Sequence, residues 1–301
     1  MPQFPEFKLI EVADRDLLHS FFHAYQPETS ELTFTNIFIW REHYQIHWSI
    51  FKDWLIIACH SGGEKCFALP PIGPLPRMEV TRNILQWLKE ERGIKDPSIE
   101  RADSRLVNEL AGSSEFIITP TREHFDYVYQ TENLIKLSGN RYHAKKNHLN
   151  KFRKTYRWSY EPMSAEKIKE CMQVAELWCR ARRCHEDMDL SDEANAVREI
   201  LENFSALKVQ GGMILIEDKV RAFAIGEMLN QDTAVIHIEK ADPEIPQLFV
   251  AINQQFCENQ WSKVPWVNRE QDLGDEGLRQ AKMSYHPSRL IQKFRIKLPI
   301  T

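Results

Sequence analysis

The sequence predicts an α/β protein of two similar blocks, each a mixed central sheet with helices on both faces. Three observations carry this expectation. The chain has 301 residues, enough for two hydrophobic cores. Its second half, from about Arg157 to Lys297, patterns as β-α-α-β-β-β-α-β-α-β by alternating and helical periodicities. Its first half gives nearly the same order without obvious repetition of residues. A meander followed by strands separated by helices fits a sheet that is antiparallel early and parallel later.

In the first block, Lys8–Val12 is a short strand and Asp14–Tyr25 and Asn36–Tyr44 are helical. Ile46, Trp48 and Ile50 alternate with His47 and Ser49, as a strand does. Asp53–His60 continues as a strand, and the turn Ser61-Gly62-Gly63-Glu64 leads into Lys65–Leu69. Five residues, Pro70, Pro71, Gly73, Pro74 and Pro76, break regular structure. Helix Val80–Arg92, strand Ser98–Arg101, helix Ser104–Ala111 and strand Glu115–Thr119 complete the block. In the second block, strand Trp158–Glu161 leads to a helix that Ser164 can cap. A second helix covers Asp192–Leu207. The meander Gly212–Glu217, Val220–Leu229 and Thr233–Lys240 follows. Helix Gln247–Gln260, strand Val264–Asn268, helix Asp275–Tyr285 and strand Leu290–Leu298 close the chain. The expected domains are 1–132, a basic helical connector 133–157, and 158–301, which carries the site.

Composition excludes several classes. The charge of −4 rules out a polyelectrolyte, so phosphate contact needs a local patch. No apolar run approaches the ~18 residues of a membrane span. The first residues lack a signal-peptide pattern. The six cysteines form no CxxC pair, so reduced thiols in a cytoplasmic protein are expected. Cys179, Cys184, His185 and Glu186 match no standard zinc spacing, and no metal is expected.

A local patch does exist. From Asn133 to Tyr160 there is no acidic residue and there are eight Lys/Arg, including Arg141, Lys145, Lys146, Lys151, Arg153 and Lys154. Tyr142, Leu149, Phe152 and Tyr156 fall on one helical face, which leaves the cations on the others. Such a helix meets either RNA phosphates or acidic surface of its own protein. Farther on, Asp272, Gly274 and Gly277 set a tight turn before a helix. Either it is an ordinary capped turn, or its N–H groups with Arg269 and Arg279 take an anion.

Asn268 at the end of the penultimate strand, the segment through Gly277-Leu278-Arg279, the helix end Ala281-Lys282-Met283-Ser284-Tyr285, and Leu290–Ile296 together resemble the closing part of a GNAT acyltransferase. The tandem arrangement with a basic helix between is similar to the phosphatidylglycerol lysyltransferase C-terminal family and to Fem-type transferases. The resemblance implies two tandem GNAT-like domains, the first degraded, and an acyl- or aminoacyl-transferase acting on an amine or hydroxyl acceptor. It implies aminoacyl-tRNA as donor and a small molecule, peptide or lipid headgroup as acceptor. Substrate contacts would come from Asn268, Arg269, Asp272, Gly274, Gly277, Arg279 and Lys282.

In that frame His237 or Glu239, on one strand face, would take the acceptor's proton. Tyr285 would protonate the leaving group. The bland readings are a hydrogen-bonded core histidine and a core tyrosine. Where GNAT enzymes hold the coenzyme A pyrophosphate on a glycine turn, this chain has Asp242-Pro243-Glu244-Ile245-Pro246-Gln247. Two prolines and two acids suit an anion poorly, which disfavours acyl-CoA. Two alternatives stay open: a GNAT-fold binding module without chemistry, and an atypical acyl-CoA-dependent N-acetyltransferase.

Overall fold

The protein is described here from a computed structural model covering residues 1–60 and 66–299. The expected turn Ser61–Glu64 and the start of the strand after it lie outside the described residues. In chain order the first half holds β1 Lys8–Leu9, α1 Arg15–Tyr25, α2 Phe34–Ile39, α3 Arg41–Tyr44, β2 Ile46–Phe51, β3 Trp54–His60, β4 Cys66–Ala68, α4 Met78–Glu90, β5 Ser98–Ala102, α5 Ser104–Leu110, β6 Ile117–Pro120 and β7 Asp126–Gln130. Then come α6 Thr131–Lys136, α7 His143–Thr155, β8 Trp158–Pro162, α8 Ile168–Arg182, α9 Met188–Glu202 and α10 Phe204–Leu207. The chain continues through β9 Gln210–Ile216, β10 Lys219–Met228, β11 Thr233–Ala241, α11 Leu248–Gln260, β12 Trp266–Asn268, α12 Glu276–Met283, β13 Arg289–Ile291 and β14 Phe294–Lys297.

These elements form two compact units. The first comprises 1–126, 271–275 and 290–301, and the second 127–270 and 276–289. The boundaries expected at 132 and 157 are thus corrected: 127–132 and the basic connector belong to the second unit, and 290–301 to the first. The expected strand Leu290–Leu298 is two strands, β13 and β14.

The first sheet runs β1-β2-β3-β4-β5-β14-β6. β1 to β4 pair antiparallel, β4 and β5 parallel, and β14 antiparallel to both its partners. Val80, Ile84, Leu85, Trp87 and Leu88 of α4 pack on Ile56, Ile99, Leu106 and Ile296. That helical spacing is why the element was readable. α2 and α3 replace the single expected helix because Trp40 leaves helical geometry at φ −99, ψ 3.

The second sheet runs β13-β7-β12-β11-β10-β9-β8. β8 to β11 are antiparallel, β11 and β12 parallel, and β7 antiparallel to β12. The two sheets share one plan, and in each the strand beyond the parallel pair comes from the other half of the chain. β7 was not anticipated. Tyr127, Val128 and Tyr129 are all buried, so the strand shows no alternation, only β-favouring residues.

Candidate functional site

In the second unit β11 and β12 pair as Thr233↔Trp266, Ala234↔Val267 and Val235↔Asn268, and no further. β12 ends at that pair, and past it side chains of β11 meet those of the segment that follows β12. On the other side, the β10·β11 register steps from Ile225↔Ile238 to Gly226↔Ile236, which makes His237 the extra residue of a β-bulge. Gly226 permits it: a Cβ there would stand 2.3 Å from the Val235 carbonyl oxygen.

His237 and Glu239 share a face, as expected, but have different partners. His237 Nδ1 lies 2.8 Å from Glu270 Oε1 and Nε2 lies 3.0 Å from Glu227 Oε1. The side chain is 1% exposed. Burial opposes the charged ring, but hydrogen bonds to Glu227 and Glu270 prevail and push its pKa up to about 9. The imidazolium therefore donates to two carboxylates at neutral pH. This corrects the base role for His237, which needs a free nitrogen. The residue is a cationic clamp between β10, β11 and the segment after β12.

Glu239 accepts from Asn253 Nδ2 of α11 at 2.7 Å and from Arg269 Nη2. Arg269 Nε and Nη1 are buried without a hydrogen-bond partner. Its guanidinium lies 4.8 Å from the Tyr285 ring centre and 5.8 Å from that of Tyr129. Burial pushes the Tyr285 hydroxyl far above the usual phenol range, with Arg269 opposing, so the phenol stays neutral. Lys145 Nζ lies 4.2 Å from the same Tyr285 ring. Burial, then Arg269, pulls Lys145 down to about 8.

Four residues named from sequence therefore meet here: Glu239, Arg269, Tyr285 and, unexpectedly, Lys145. Others serve the frame. Asn268 is fully buried and its Oδ1 accepts from Glu270 N at 2.8 Å. Lys282 Nζ donates to the Arg269 carbonyl oxygen. Arg279 pairs with Glu276, and Gly277 lies inside α12. Asp272 and Gly274 belong to the first unit. There Asp272 Oδ1 accepts from Gly274 N at 2.9 Å and Oδ2 from Arg122. The anion turn is corrected accordingly: the Asp272 carboxylate already sits on its N–H.

The basic helix divides as well. Lys146 Nζ donates to the Lys136 carbonyl and Arg153 to Gln254. Arg141 lies beside the Tyr142 ring. Lys151, Lys154 and Arg157 are exposed. The turn at Asp242 is filled by its own acid, which accepts from Glu244 N and Arg221.

Sequence reading missed Glu227, Asn253 and Tyr129. The signal for Glu227 and Asn253 is polarity within apolar stretches, Phe223–Met228 and Val250–Phe256, and Tyr129 lies in the unanticipated β7. The reduced state expected for all cysteines is corrected too. Cys179 and Cys184 are joined as a disulfide, while Cys59, Cys66, Cys171 and Cys257 are free and buried. Among the described residues no helix is long and apolar enough to cross a membrane.

Residues 22–297 match the family model for the phosphatidylglycerol lysyltransferase C-terminal domain. No curated protein sequence matches the chain. Among solved structures, a conserved protein of unknown function from Bacteroides thetaiotaomicron is 31% identical, with TM-score 0.90 over 97% of this chain and 99% of that one. The C-terminal domain of a putative lysylphosphatidylglycerol synthetase from Agrobacterium fabrum is 14% identical, with TM-score 0.64 over 95% and 92%. L-PGS from Bacillus licheniformis is 12% identical, with TM-score 0.65 over 99% and 93%. The last two show the fold alone: α/β, two tandem GNAT-like units. The family match spans nearly the whole chain, and the chain belongs to the phosphatidylglycerol lysyltransferase C-terminal family.

Proposed function

We propose that the second unit transfers an aminoacyl group from aminoacyl-tRNA to a hydroxyl or amine acceptor, with phosphatidylglycerol the acceptor to test first. The observation that carries this is the cluster just past the end of β12, where Glu239, Arg269, Tyr285 and Lys145 converge. The family match supports the reaction class. The acceptor's lone pair attacks the ester carbonyl carbon, and a new C–O or C–N bond forms. Negative charge gathers on the carbonyl oxygen, where the orphaned Nε and Nη1 of Arg269 are suited to receive it. The bond to the tRNA 3′-oxygen then breaks. Glu239 accepts the acceptor's proton, and the neutral Tyr285 hydroxyl supplies one to the leaving oxygen. The His237 clamp fixes β10, β11 and the segment after β12 beside these residues.

The donor reading rests on Lys151, Lys154 and Arg157, exposed in a stretch without acids. Lys145, set over the Tyr285 ring, would meet the end of the acceptor strand. A non-catalytic RNA-binding module draws on one observation, that both His237 nitrogens and both Glu239 oxygens are already engaged.

Single-turnover transfer from radiolabelled aminoacyl-tRNA to phosphatidylglycerol vesicles decides. The expected result is transfer by the native chain, lowered about a hundredfold or more by Glu239→Gln. Retention of tRNA with no transfer to any hydroxyl or amine acceptor would leave the binding module standing.

A further inference from the structure

Lys145 of α7 is a lysine without an anion. Among the described residues no carboxylate or other acceptor reaches its Nζ, which is uncommon for an ammonium drawn partly out of water. The side chain is half-buried, yet Nζ is not sealed from solvent. It lies over the face of the Tyr285 ring, 4.2 Å from its centre. The Arg269 guanidinium lies 4.8 Å from the same centre. Two cations therefore share one aromatic ring. The carboxylate of the cluster, Glu239, is already held by Arg269 and Asn253.

The helix is fixed in that place. Three residues before Lys145, Tyr142 Oη donates to the Tyr285 carbonyl oxygen at 3.1 Å. The Arg141 carbonyl oxygen meets His286 Nε2 at 3.0 Å. Leu149 and Phe152, farther along the helix, are buried. These contacts keep the stem of Lys145 along Tyr285.

Opposing effects then set the state of the amine. A cation over an aromatic face gains about 0.5–2 kcal/mol from the ring, which favours the ammonium. Burial, and then the charge of Arg269, act against it and win, so Lys145 falls from an ordinary 10.5 to about 8. Arg269 and Tyr285 are the titratable groups opposite it, with Arg141, Lys146 and His286 at its flank, and none of these is an acid. At neutral pH such an amine is about one-tenth unprotonated, about 300-fold more than an ordinary lysine. Its weaker basicity offsets part of that gain. A free amine that solvent can reach, set beside uncompensated positive charge, both attracts and attacks an anionic electrophile.

We propose that Lys145 is a modification site, acylated on Nζ by small anionic acyl donors of the acyl phosphate class. The Nζ lone pair attacks the carbonyl carbon, and a C–N bond forms. The C–O bond to phosphate breaks, and phosphate leaves with that electron pair and takes the proton the amine gives up. The products are a neutral amide and inorganic phosphate. Acylation thus removes one of the two cations on the Tyr285 ring. The modification is read as a mass on one lysine, so it stands apart from the transfer reading.

The test treats the native full chain with acetyl phosphate and follows each lysine by peptide mass spectrometry. At about pH 7.5, Lys145 should be acetylated at least about tenfold faster than Lys151 and Lys154 of the same helix. Its rate should level off above about pH 8, while theirs keep rising to about pH 10. In urea the three should react alike, because the preference comes from the fold. The neutral reagent N-acetoxysuccinimide should favour Lys145 less than acetyl phosphate does. In Lys145→Arg the fast acetylation should be gone. Equal rates at the three lysines of the native chain, a Lys145 rate that climbs to about pH 10 without levelling, a preference that survives urea, or equal selectivity from the neutral reagent would each overturn the proposal.

Discussion

His237 shows how partners decide what a residue does. Its pKa is about 9 in the folded protein against an ordinary 6.5. A raised folded value means the clamp stabilises fully below about pH 6.5 and loses that contribution as pH rises through about 9, a change of about 3 kcal/mol. Urea unfolding between those limits should show this loss, and His237→Gln should flatten the slope. A native slope no steeper than that of the variant would refute the clamp. The common face of His237 and Glu239 was readable, because alternation in a strand is local. Their partners were not. Glu227 reaches His237 only through the register set at the Gly226 bulge, and Asn253 reaches Glu239 from a different element. Neither relation is local in sequence.

Elements set the room in which those residues act. The bulge needs Gly226, because a methyl group there would press on the Val235 carbonyl at 2.3 Å. Gly226→Ala should cost about 1–3 kcal/mol and displace His237, which thermal unfolding and the imidazole resonance would report. Native stability and an unmoved resonance would mean the bulge is not needed. For α7 and its flank, Lys151→Glu, Lys154→Glu and Arg157→Glu together should flatten the logarithmic salt dependence of tRNA retention by about two to three. Lys145 should behave differently, affecting turnover more than retention, because it is packed on Tyr285. An unchanged salt slope in the triple variant would remove the RNA contact. Amphipathic helices such as α4 were readable element by element. β7 was not, since a strand buried on both faces has no period to detect.

At the scale of the whole chain, the duplicated plan was visible as a repeated order of elements, while the exchange of strands between halves was not. Nothing in Phe294–Lys297 tells which sheet it joins, since both sheets offer an antiparallel slot beside a parallel pair. Cutting the chain after residue 291 would empty the slot between β5 and β6 and expose two strand edges. Hydrogen exchange should then rise throughout β5 and β6, and retained protection there would contradict the assigned topology. The four free cysteines sit in the two cores, and their alkylation rates would follow the opening of each unit separately.

The same slot imposes an order in time. Residues 294–297 are synthesised after every other strand of the first sheet, so that sheet waits, one strand short, while more than half of the chain is still being made. β7, by contrast, is finished long before the strands it will join. Neither half can complete its sheet from its own residues. A nascent chain arrested before residue 294 should stay open to protease at β5 and β6, however long it is held.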